Sequence, residues 1–71
     1  MSNMINAYNI FIFLQCNFNK KMSDDIFGDL SEHLFEKWLN CNYNIINFLS
    51  MLDNGNKQLI LNYGEDMMKN Q

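Results

Sequence analysis

The chain has 71 residues, one domain's worth, with five lysines against eight acids, a net charge of −3 and no arginine. Direct nucleic-acid binding normally leaves a basic footprint and uses arginine forks, and anionic membrane surfaces select for the same charge, so both partners are disfavoured. No apolar run approaches the roughly 18 residues of a membrane span, and Ile10-Phe11-Ile12-Phe13-Leu14 lacks the basic flank and cleavage site of a signal peptide. The expected location is therefore the cytoplasm.

In chain order, the first segment places Met4, Ile5, Ala7, Tyr8, Phe11, Ile12 and Leu14 on one broad face at helical spacing. A helix over residues 3–16 is expected, with a strand over 9–14 as its rival, because a short continuous apolar run has no diagnostic period. Residues 17–23 read as a connector. The whole stretch 1–21 is expected as a peripheral helix or strand, and Lys20-Lys21-Met22-Ser23-Asp24-Asp25 also reads as the start of a shorter product.

Ser23 is a good N-cap, and Asp24 and Asp25 would then lie in a first turn, where the helix dipole favours acids. A helix over 24–39 follows, with Ile26, Phe27, Leu30, Leu34 and Trp38 as its apolar stripe. Gly28 weakens it by about 1 kcal/mol relative to alanine. A third apolar face comprises Ile45, Ile46, Phe48, Leu49 and Leu52. Asn54-Gly55 then either ends that helix or turns a hairpin joining 48–52 to 58–63. The last segment gathers Leu59, Ile60, Leu61, Tyr63, Met67 and Met68 on one side of a helical wheel. A strand stopping near Gly64 would leave both methionines unexplained, so a helix is expected there. Gly64, on its apolar side, permits close helix approach or breaks the helix.

The fold class expected is all-α: a single small bundle of about four short amphipathic helices, completed by homodimerisation. A lone core of this size yields only about 3–5 kcal/mol, and chains so short usually need a staple. Two cysteines without a CxxC pair make a disulfide scaffold or a zinc site a poor choice of staple. The expected core is Ile26, Leu30, Leu34, Trp38, Ile45, Phe48, Leu49, Leu52, Leu59, Tyr63 and Met67. Val, Thr, Pro and Arg are absent, and thirteen asparagines are dispersed through the chain. That bias follows AT-rich coding, and with the small size it suits a phage or mobile-element effector.

Candidate chemistry is sparse. Asp29-x-x-Glu32-His33-x-x-Glu36 holds carboxylates and the only histidine. The Glu-x-x-His pairs of bundle metal sites come in the opposite order and from two helices. No Gly-rich phosphate loop and no nucleophile–base pairing is evident. No catalytic residue, metal ligand or cofactor is therefore expected. Asp25, Asp29, Glu32 and Glu36, at i, i+4, i+7 and i+11, are expected as one acidic stripe that docks a protein with a basic surface. Phe35, Trp38, Leu39 and Tyr43 are expected to mediate self-association. The functional expectation is a non-catalytic protein-binding protein, an inhibitor or adaptor. The alternatives are a structural subunit of a larger assembly or a small metal-dependent enzyme.

Overall fold

The computed structural model describes residues 7–70, and Met4 and Ile5 of the expected first helix lie outside them. The described residues form only helices: α1 (Ala7–Asn17), α2 (Lys20–Phe27), a 3-10 turn (Gly28–Leu30), α3 (Ser31–Asn40), α4 (Ile45–Met51) and α5 (Asn54–Lys69). The all-helical expectation holds. The hairpin alternative does not, since residues 48–51 and 58–63 are helical.

Helix starts are set by short polar side chains. Asn19 accepts a hydrogen bond from the Met22 amide at 2.9 Å, Asn44 from Asn47 at 3.0 Å, and Asp53 from Asn56 at 2.8 Å. Each satisfies a donor that the first helical turn leaves unpaired. Gly55 thus lies in the first turn of α5 instead of ending α4. The expected cap Ser23 sits inside α2, fully buried. The helix starts a turn earlier at the Asn19 cap, and Lys20 with Asp24 and Lys21 with Asp25, both at i, i+4, support that turn.

Gly28 divides the expected helix 24–39. Its φ of +56° and ψ of −117° lie where residues with a Cβ rarely go, and its amide caps α2 by donating to the Asp24 carbonyl. The break changes the phase of the apolar stripe. Phe27, Leu34 and Trp38 are buried, but Leu30 is 53% exposed.

α1 packs on α4 and α5, α2 packs on α3 and α5, and α3 meets α4. Trp38, 1% exposed, anchors the middle, with Phe18 at 5.2 Å, Phe48 at 5.5 Å and Tyr43 at 5.8 Å between ring centroids. Such tilted and edge-to-face pairs add about 0.5–1.5 kcal/mol each beyond the area they bury. Ile10, Leu14 and Phe18 belong to the core, so the stretch before Met22 supplies core side chains. Leu59 and Met67, expected inside, are exposed, while Met22, Cys41 and Ile60 are buried. Gly64 admits α1 to close range: a Cβ there would meet Leu14 Cδ2 at 3.0 Å and Ile10 Cγ2 at 3.3 Å.

Candidate contact surfaces

The four acids of the expected stripe fall on three elements: Asp25 on α2, Asp29 in the 3-10 turn, Glu32 and Glu36 on α3. Gly28 removes the continuous helix that the i, i+4, i+7, i+11 spacing presupposed. Asp25 is occupied internally. Its Oδ2 accepts from Lys21 Nζ and from the Tyr63 hydroxyl, both at 3.1 Å, which ties α2 to α5. These donors, Lys21 first, hold its carboxyl below the usual carboxylate range. Desolvation and then Asp25 push the Tyr63 hydroxyl up. Glu32 pairs with Lys20 at 3.1 Å yet keeps 87% of its side chain exposed. Asp29 and Glu36 are exposed and make no ion pair among the described residues.

Behind Glu32 lies a polar knot that spans the Gly28 break. The Ser31 hydroxyl donates to Asp24 at 2.6 Å and lies 3.0 Å from the Ser23 hydroxyl, which reaches the Ser31 carbonyl at 3.2 Å. Each hydroxyl has one proton, so Ser31 donates to the charged acceptor and Ser23 donates toward Ser31. Lys20 and then Ser31 lower the Asp24 pKa, while Asp24 and then Glu32 raise that of Lys20. A serine and a lysine here are neighbours, with Nζ to Oγ at 3.4 Å. The lysine nevertheless holds its proton against two carboxylates, and both serines are buried. The knot fastens α2 to α3 and presents no nucleophile to solvent.

His33 is exposed, and among the described residues no group of three or more His, Cys, Asp or Glu side chains is placed to hold a metal ion. Cys16 is exposed and Cys41 is buried, both as free thiols, with the Cys41 Sγ 3.2 Å from the Met51 Sδ. Among the described residues, no helix is long and apolar enough to cross a membrane.

The expected self-association set divides. Trp38 is core, because the ring stack closes over it, and Phe35 is half-buried against the same core. Leu39 and Tyr43 remain outside. Tyr43 sits at φ +61°, directly after Asn42 at +56°, a conformation a bulky residue rarely holds; its ring lies edge-on against Trp38. Three residues on, Ile46 is 62% exposed. It borders an open groove of about 310 Å³ between α1, α4 and α5, lined by Phe11, Ile46, Leu49, Ser50, Lys57 and Leu61. Sequence reading missed this groove. The expected apolar face of Ile45, Ile46, Phe48, Leu49 and Leu52 divides here: Ile45, Phe48 and Leu49 are buried, Leu52 is half-buried and Ile46 is turned outward. A second cavity of about 270 Å³ lies beside the Lys21–Asp25–Tyr63 link, with Phe13 and Met67 in its wall.

Comparison with protein-family models, curated proteins and solved structures gives no match to this chain.

Proposed function

We propose that this chain is a small non-catalytic protein that works by binding other proteins, as an inhibitor or adaptor, and that its partner presents a basic surface. The observation carrying the reading is the apolar surface left uncovered where α3 meets α4: Ile46 at 62% exposure and Tyr43 at 58%, with Leu39 and Met51 also outside. Uncovered aromatic and aliphatic side chains next to a groove are the usual anchors of a protein contact. The sign of the partner follows from charge. The chain carries −3, Glu32 is largely exposed, and Asp29 has no internal counter-ion among the described residues.

The test is affinity capture with mass spectrometry, comparing the tagged wild type with Asp29→Lys/Glu32→Gln. Neither residue contributes an apolar side chain to the core, so circular dichroism is expected to be unchanged. A specific protein enriched by the wild type, with at least about fivefold weaker capture by the variant, is the expected result. Equal capture of the same protein by both would remove the basic partner from the reading. The same exposed apolar side chains favour a second reading, a structural subunit of a larger assembly. That reading predicts aggregation of the purified chain until its assembly partner is added.

A further inference from the structure

We infer that the groove between α1, α4 and α5 is filled by a second copy of this chain, which seats its Leu39 and Tyr43 there and brings its Glu36 to Lys57. The inference rests on the contact reading above in taking the exposed apolar side chains as an interface; it assigns them to a second copy and leaves Asp29 and Glu32 to the basic partner.

Phe11, Leu49 and Leu61 give the groove an apolar lining, and Ile46 stands at its edge. Its one cation, Lys57, is half-buried and, like Lys37 but unlike Lys20, Lys21 and Lys69, makes no ion pair among the described residues. A purely apolar occupant would strip water from that ammonium and offer nothing in return, so an occupant that brings a carboxylate is the best match. The chain itself carries such an element. Glu36 and Leu39 stand one helical turn apart on α3, Tyr43 follows at its end, and all three are exposed. Glu36 is without an ion-pair partner among the described residues. Tyr43 is already fixed by its backbone and by Trp38, so little freedom is lost when it docks.

Ridge and groove are also neighbours, because Tyr43 ends one and Ile46 borders the other. A ridge beside a groove is the self-complementary patch that a two-fold axis requires, each copy giving its ridge to the other's groove.

The test is light scattering on the purified full chain, from low micromolar to about millimolar concentration, at low and high salt. The wild type is expected to reach twice 8.5 kDa, with weaker association as salt rises. Ile46→Glu puts a carboxylate in the groove and should leave monomer throughout. Because Ile46 is outside the core, helical circular dichroism should not change. Lys57→Glu and Glu36→Lys should each weaken the dimer about tenfold, and the double variant should restore it. The inference is overturned if the wild type is monomeric at every concentration, if Ile46→Glu still dimerises, or if the charge swap fails to restore what the single changes lose. A monomeric wild type whose protein capture still depends on Asp29 and Glu32 would refute the dimer and leave the contact reading standing. A dimer that captures nothing would do the reverse.

Discussion

At Gly28 the backbone takes φ +56° and ψ −117°, and nothing lies within 4 Å of where a Cβ would stand. At Gly64 the backbone is helical, and a Cβ would lie 3.0 Å from Leu14. The first glycine is needed for an angle and the second for space. Around Gly28 the chain is fastened by hydroxyls, carboxylates and ammonium groups, and around Gly64 by Ile10, Leu14 and Ile60. One small bundle thus holds two helix pairs by different physics, and each should fail in its own way.

The largest effect separates angle from space. At Gly64 the cost should climb with side-chain size. Alanine trades a tight contact against the roughly 1 kcal/mol of helix propensity it recovers, whereas leucine overpacks α1 against α5 by about 1–3 kcal/mol. At Gly28 alanine and leucine should cost alike, about 1–3 kcal/mol each, since the strain lies in the dihedrals. Urea unfolding of the four variants measures this, and a size-dependent cost at Gly28 would refute the distinction.

A smaller effect concerns the knot. Ser31→Ala removes the bond to Asp24 and the contact between the two hydroxyls, while the Ser23 hydroxyl keeps its bond to the carbonyl of residue 31, at about 1 kcal/mol. Ser23→Ala/Ser31→Ala should cost less than the sum of the single changes, because the contact between the two hydroxyls is lost in either one and is counted only once in the double change. Additive losses would show that the two hydroxyls act independently.

The smallest effect is that of pH. Asp24 and Asp25 have lowered pKa values in the folded chain, through Lys20 and Lys21 respectively. Their contribution is therefore full above the unfolded carboxylate value of about 3.9 and is lost as pH falls through the lower folded values. Thermal melts should lose stability below about pH 4, and Asp24→Asn/Asp25→Asn should flatten that slope. The contact at Gly64 contains no titratable side chain and should not contribute to the slope.

The helical class and most of the segments were legible because their periodicity outlasts any strand. Phase was harder to read. In α1, residues 10–14 are apolar without interruption, so nothing in the spacing showed that Ile10 and Leu14 face inward while Tyr8 and Ile12 do not. In α2, two lysines looked like a connector, although their acids one turn later make them the start of a helix. The asparagines read as coding bias also have structural work: Asn19 and Asn44 cap helices and Asn42 takes a left-handed turn. Of the expected contact residues, Leu39, Tyr43, Asp29 and Glu36 lie where a partner can reach them. Trp38 does not, because it is enclosed by a ring stack, whereas Asp25 is exposed with its carboxylate engaged by Lys21 and by a tyrosine 38 residues away. Neither long-range contact leaves a local pattern.

Trp38 also gives the molecule an internal optical label. It is the chain's only tryptophan, and its indole is held at fixed angles to Phe18, Phe48 and Tyr43, rings contributed by three other stretches of the chain. An indole in so asymmetric a setting gives a near-ultraviolet dichroism signal that vanishes when packing loosens, even while the helices persist. Near-ultraviolet and far-ultraviolet signals recorded together would thus distinguish loss of the ring stack from loss of the helices in the unmodified protein.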